Sequence, residues 1–122
     1  MGGSGITPVL QTATALVSSP QTRVQIWILY ANRTQEDILC RNELAALEKD
    51  SRVKIWYTLD VKPEDAWPYS IGFINEEMVR ERLPSPAEQT VIFMCGPPPM
   101  INFACKPNLE KAGHAQANMH CF

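Results

Sequence analysis

Two glycine-bearing segments offer the most readable chemistry in this sequence. Gly2-Gly3-Ser4-Gly5-Ile6-Thr7-Pro8 runs straight into a stretch patterned as a helix. A phosphate-binding turn needs backbone N–H groups that an anion can approach closely. Glycine permits that approach, and the start of a helix adds the positive end of its dipole. Cys95-Gly96-Pro97-Pro98-Pro99-Met100 lies between an apolar run and a second helical stretch. There Gly96 gives another bare backbone edge, and the prolines stiffen the wall beside it. Each turn alone is a common pattern, and Met-Gly-Gly-Ser-Gly also has the composition of a flexible linker. Other reactive side chains are dispersed. Cys40, Cys95, Cys105 and Cys121 form no C-x-x-C pair, which leaves metal-ligand spacing absent and reduced thiols the simplest reading. His114 and His120 have no partner motif, so surface positions are expected. Glu76, Glu77, Arg80, Glu81 and Arg82 pattern as a solvated helix face.

The elements that must position these turns alternate between helix and strand. Thr7–Ser18 reads as a helix with Pro8 at its start and Val9, Ala13, Leu16 and Val17 on its buried face. Val24–Ala31 is apolar almost throughout, as a strand covered on both faces should be. Asn32-Arg33-Thr34 is the expected turn. Thr34 would cap the next helix with Asp37 three residues on, Asp37 would pair with Arg41, and Cys40, Leu44 and Leu47 would line one side. Val53–Leu59 is a second strand, and the proline- and charge-bearing segment Asp60–Tyr69 is a loop. Asn75 caps a short helix through Arg82, which Pro84 ends. Thr90–Cys95 reads as a fully buried strand. A helix starting within Pro97–Pro99 should carry Met100, Phe103 and Ala104 inward, with Pro107 interrupting it and Gly113 closing the last piece. The tail to Phe122 has room for a short strand. This alternation predicts an α/β fold, a three-layer doubly wound parallel sheet with right-handed crossovers. In such sheets ligands sit at the carboxyl ends of the strands.

Size and charge bound the function. With 122 residues the chain is one domain. It is 45% hydrophobic and 20% charged, a globular balance, and its net charge of −2 with no basic stripe gives no footprint for nucleic acid. Its longest apolar runs are strand-sized, well short of the roughly 18 residues of a membrane span. No secretory leader pattern opens it, so a cytoplasmic location is expected.

GGSGITPVLQ, YANRTQEDILCRNEL, WYTLD, GFINEEM, CGPPPMINFAC and PNLEKAGH resemble, in that order, the NADH-binding lobe of the cytochrome b5 reductase family, which also forms the carboxyl-terminal end of eukaryotic nitrate reductases. The resemblance covers nearly the whole chain, and the two turns are far more specific together than singly. Ser4, YANRT and PNLEK are similar to nitrate reductase; NEEM, WYTLD and the final Cys-Phe are similar to the free-standing reductase. The resemblance implies a ferredoxin-reductase-type nucleotide-binding domain over residues 1–122. It implies an oxidoreductase passing electrons from NADH through FAD to a cytochrome b5-type heme.

Residue by residue, it implies nucleotide-binding roles for Gly3, Gly5, Thr7 and Pro8 in the first turn. The Thr7 hydroxyl would stand near nicotinamide and flavin, although a plain helix cap fits it equally. Cys95 would stand beside the nicotinamide as a positioning group, since hydride transfer needs no thiolate; the alternative is a small buried hydrophobe. Thr7 and Cys95 are thus the candidate catalytic pair, with Gly96, Pro97, Pro98 and Met100 walling the pocket. Asp60 would accept from a ribose 2′-hydroxyl and repel a 2′-phosphate, favouring NADH, with a solvated turn Asp as the alternative. Arg33 argues more weakly for NADPH. Phe73 would lie near the adenine or else pack in the core. Asn32 reads as a turn residue rather than a ligand contact. Phe122 corresponds to a carboxyl-terminal aromatic, with the end compressed to His120-Cys121-Phe122.

The family's FAD-binding barrel, its Arg-x-Tyr-Ser/Thr motif and any heme or molybdenum domain are not found here. FAD and heme would therefore come from partner domains or proteins, and this chain alone is expected to be inactive. The alternative is a truncated, stand-alone nucleotide-binding domain without catalysis. The family's first strand precedes the GGSGITP turn, where this sequence begins. A gap, or a forced pairing, is thus expected between Val24–Ala31 and Thr90–Cys95, and with it marginal stability. A cooperative melt with normal amide protection in both of those strands is the result that would contradict it.

Overall fold

The computed structural model describes residues 6–19, 21, 23–87 and 90–121. In chain order the elements are α1 (Ile6–Val17), β1 (Ile26–Asn32), α2 (Arg41–Glu48), β2 (Val53–Leu59), β3 (Ser70–Ile71), α3 (Glu76–Arg82), β4 (Ile92–Met94), α4 (Pro98–Met100), α5 (Lys106–Lys111) and β5 (Met119–Cys121).

β1 and β2 are the spine. Both are rich in β-branched and aromatic residues, and they pair in parallel from Ile26↔Val53 to Asn32↔Leu59. Alternation sends Ile28 and Tyr30, with Val53, Ile55, Tyr57 and Leu59, into one core. There they meet Ile6 and Ala13 of α1 and Leu44 and Leu47 of α2. Leu29 faces the other way, into a second core with Met78 and Val79 of α3, Met94 of β4, and Ile101, Cys105 and Leu109. Each buried aliphatic side chain contributes about 1.5–3 kcal/mol, so two covered faces hold a parallel pair that one face would leave marginal. The layers are therefore helix, sheet, helix.

The strand order is β3-β2-β1 in one sheet and β4-β5 in the other, and every neighbouring pair is parallel. The α/β class and the doubly wound order match expectation. Among the described residues no ladder pairs β1 with β4, where the gap was expected, and both strands contribute to the second core.

Several local expectations are corrected. β1 runs to Asn32, so that residue belongs to the strand and not to the turn. Thr34 and Asp37 do bond, N–H and Oγ1 donating to the Asp37 carboxylate at 3.1 and 2.8 Å, but around a 3₁₀ turn at Gln35–Asp37. Cys40, at φ +57, breaks the chain there and α2 starts only at Arg41. The Asp37 carboxylate being occupied, Arg41 lies instead over the rings of Tyr57 and Trp67, 5.7 Å from each centroid. β4 is not fully buried: Met94 faces the core, while Val91 and Phe93 are exposed. Pro107 does not interrupt its helix. It cannot donate to the carbonyl four residues back, and the chain widens into a π turn at Ile101–Cys105 before α5 continues. That rotation turns Phe103 outward to 81% exposure, while Met100 and Ala104 pack inward as expected. Gly113, at φ +97, closes α5: its N–H donates to Glu110 and that of His114 to Leu109, the two bonds of a Schellman ending. His114 is buried, not on the surface, and burial lowers its pKa.

Arg52 fixes the direction of α1. Its guanidinium donates to Val17 O at 2.9 Å and Ser19 O at 3.0 Å while pairing with Asp50 at 2.7 Å. Its own carbonyl receives the N–H of Ile26. The carboxyl end of α1 is thereby tied to the beginnings of β1 and β2. The Arg52 guanidinium holds the Asp50 carboxyl down at about 2, against an ordinary 3.8. A depressed carboxylate stabilises the fold fully above the unfolded value and loses that contribution as pH falls through the folded one. Urea unfolding between pH 5 and pH 2 should therefore show stability falling from about pH 4 downward, and Asp50→Asn should flatten that part of the profile.

Candidate functional site

With its carboxyl end at the strand beginnings, α1 runs antiparallel to β1 and brings Ile6, Thr7 and Pro8 to the strands' carboxyl ends. Ile6 is fully buried in the first core and anchors this first turn. Thr7 is exposed and lies inside α1 rather than before it, which is not the position of a helix cap. Pro8 is third, still among the positions whose N–H would have no helical partner, and its carbonyl accepts from Thr12 Oγ1 at 2.9 Å. Gly3 and Gly5 lie outside the described residues, as does Phe122.

Backbone bonds stitch the strand ends together. Asp60 N–H donates to Asn32 O at 3.1 Å, and Val61 N–H to Arg33 O at 2.9 Å. Gly72 N–H donates to Leu59 O at 2.7 Å, and the buried Thr58 hydroxyl donates to Gly72 O at 2.6 Å. Gly72 sits at φ +108, a conformation that glycine adopts without strain. Asp60 and Phe73 are thus drawn to one sheet end. Asp60 is exposed, and the Phe73 ring is 76% exposed, so the core-packing alternative for Phe73 is excluded. Arg33 is exposed at the same end.

The second turn follows β4. Cys95 and Gly96 are half-buried, Gly96 at φ +153, and Pro97 and Pro98 are exposed where α4 begins. Ile101 N–H donates to Pro97 O at 3.2 Å, holding the proline wall to the π turn. Met100 packs against the second core. The buried Cys105 thiol is pushed up by burial and is not a nucleophile. All four cysteines are free. Among the described residues no three His, Cys, Asp or Glu side chains are grouped to hold a metal ion, and no helix is long and apolar enough to cross a membrane.

Asp60, Phe73 and the Cys95–Pro98 turn each follow the carboxyl end of a strand, and Asp60, Phe73, Pro97 and Pro98 are exposed there. The two grooves described among these residues lie elsewhere, one between β3 and α3 and one between α1 and α2. Sequence reasoning missed two features near the site. One is Asn32, buried at the end of β1 with its side chain directed at the Tyr30 hydroxyl. Its alternation with Ile28 and Tyr30 was the available signal. The other is the aromatic group behind β2, in which Trp56, Tyr57, Trp67 and Tyr69 make edge-on contacts with centroids 4.9–6.3 Å apart. Arg82, read as solvated, stacks over Trp56 at 3.4 Å.

Residues 1–106 match the family model described as the oxidoreductase NAD-binding domain. The chain is 53% identical to NADH-cytochrome b5 reductase 3 of Rattus norvegicus over 99% of this chain and 40% of that protein. It is 46% identical to nitrate reductase [NADH] 1 of Phaseolus vulgaris over 93% of this chain and 13% of that one. The cytochrome b5 reductase domain of Ulva prolifera nitrate reductase superposes with a TM-score of 0.94 at 46% identity, covering 99% of this chain and 47% of that chain. The chain thus spans well under two thirds of the length of these relatives.

The Thr58–Gly72 bond sets the position of Phe73. Thr58→Val keeps the shape and removes the hydroxyl, so stability should fall by about 1 kcal/mol. Amide exchange at Gly72 and Phe73 should quicken while that at Ile28 and Ile55 does not, as NMR hydrogen exchange would record.

Proposed function

The chain belongs to the oxidoreductase NAD-binding domain family, and from that membership and the strand-end geometry we propose that it is the NADH-holding part of a larger electron-transfer flavoenzyme. The reading rests chiefly on one observation: an exposed carboxylate, Asp60, and an exposed ring, Phe73, are clipped to the same carboxyl strand end that receives the first turn of α1. A solvent-facing phenylalanine gains nothing for the fold, yet it offers a flat apolar surface to an adenine. The Asp60 carboxylate accepts from the 2′-hydroxyl of a ribose and opposes a 2′-phosphate, which selects NADH over NADPH. The opening turn of α1 lends unpaired backbone N–H groups to the pyrophosphate, with Thr7 beside it. The Cys95–Pro98 wall, stiffened by proline, fixes the face that the nicotinamide presents; Cys95 orients the ring and forms no bond to it.

A flavin held outside this chain would supply hydride acceptance and single-electron transfer to a heme, and the residues here would hold and orient the nicotinamide nucleotide toward it. The contribution of this chain is therefore binding, orientation and nucleotide choice. Isothermal titration of the chain should show NADH binding more tightly than NADPH. Asp60→Ala should shrink that preference by about tenfold, on the order of 1.4 kcal/mol. Absence of NADH binding by the folded chain would overturn the reading. Joined to a flavin domain, the same chain should support NADH-dependent ferricyanide reduction.

A further inference from the structure

Two of the free cysteines, Cys105 and Cys121, stand at one edge of the second core, and the nucleotide reading uses neither. β5 pairs with β4 through Ile92↔Met119, Phe93↔His120 and Met94↔Cys121. Contacts settle which face is which. The Phe93 and His120 rings lie 5.8 Å apart on one face, whereas Ile92, Met94 and Met119 pack in the second core on the other. Alternation puts Cys121, two residues past Met119 and opposite Met94, on that core-facing side. Cys105 ends the π turn and is buried in the same core as Met94. Burial pushes the Cys105 thiol up, and a charge on Cys121 raises it further, so the two thiols are electrostatic neighbours. Cys121 is exposed and Cys105 is buried: one thiol is open to solution and the other is covered.

We propose that Cys105 and Cys121 form an oxidisable pair, a modification site at which a peroxide converts two thiols into a bond that locks β5 to the π turn. The site stands independently of the nucleotide reading. Cys121 is the point of entry, because reactivity toward reagents in solution follows exposure. Its thiolate attacks one oxygen of hydrogen peroxide: the S–O bond forms, the O–O bond breaks, and one oxygen leaves as water. The Cys105 sulfur then attacks the Cys121 sulfenic acid: the S–S bond forms, the S–O bond breaks, and the second oxygen leaves as water with the proton given up by Cys105. The two thiols together lose two electrons, which the peroxide gains. The burial that shields Cys105 from anything in solution makes this second step the slow one. The product ties an edge strand of three residues to the helical segment that carries the second core, and closes a loop over α5 and Gly113.

The test treats the reduced chain with hydrogen peroxide, unfolds it, caps the remaining thiols with N-ethylmaleimide and reads the peptides by mass spectrometry without reductant. The expected product is a single chain carrying one Cys105–Cys121 bond, with Cys40 and Cys95 capped, and dithiothreitol should restore all four thiols. The oxidised chain should melt about 5 °C above the reduced one, because the bond restricts the unfolded chain. Cys121→Ser, at an exposed position, should leave Cys105 fully cappable after the same treatment and abolish the rise in Tm. Recovery of Cys105 as a capped thiol while Cys121 has gone on to sulfinic acid would overturn the pairing, as would a bond from Cys121 to Cys40, to Cys95 or to a second chain. Loss of the Cys105 thiol in Cys121→Ser at the wild-type rate would overturn Cys121 as the point of entry. A bonded chain that melts no higher than the reduced one would overturn the locking of β5.

Discussion

The parallel pairing of β1 with β2 is the constraint on which the rest of the molecule depends. Parallel ladders need apolar cover on both faces. Here the two faces are supplied by different parts of the chain, α1 and α2 on one side, α3 and the helix after β4 on the other. Once seven residues are in register, the position of every neighbouring group follows. Asp60 and Val61 are tied to Asn32 and Arg33, the Gly72 turn is tied to Leu59, and α1 must return antiparallel because Arg52 holds its carboxyl end at the strand beginnings. A one-residue slip would carry Tyr30, Tyr57 and Leu59 to the wrong core and Asp60 away from the site.

This arrangement separates the work of the two strand ends. The beginnings carry the structural polar bonds: Arg52 is paired with Asp50, satisfies two α1 carbonyls and receives no role in chemistry. The carboxyl ends carry groups whose polar or apolar character is left unspent by folding. Phe73 faces solvent, and Asp60 is exposed beside it.

How much of this was legible in the sequence follows from how local each determinant is. β2 was readable to its exact ends because Val53–Leu59 is dense in β-branched and aromatic residues and is bounded by Asp50-Ser51-Arg52 and by Asp60. Asn75 was readable as a cap because its side chain accepts from Met78 N–H three residues on, a contact fixed by spacing alone. What could not be read depended on distant partners. Cys40 takes a left-handed conformation that no residue-type rule assigns to cysteine. Phe103 belongs to an apolar pattern of helical period, yet the π turn forced by Pro107 rotates it out of register. His114 looked like a loop residue because the burial that lowers its pKa comes from tertiary packing. The candidate site was legible as residue types, through the resemblance of its turns. That Asp60 and Phe73 share one end rests on the Thr58 and Leu59 bonds to Gly72, which cross a loop that sequence leaves unfolded.

The division of the sheet bears on the same question. Among the described residues no ladder joins β1 to β4, and Leu29, Ile92 and Met94 lie together in the second core. Side-chain packing without a ladder fixes distance less tightly than hydrogen bonds do, because apolar contacts have no preferred direction. The turns proposed to hold the two ends of the dinucleotide follow strands of different sheets: Asp60 follows β2 of the first and Cys95 follows β4 of the second, so the spacing between them depends on the packing of the second core.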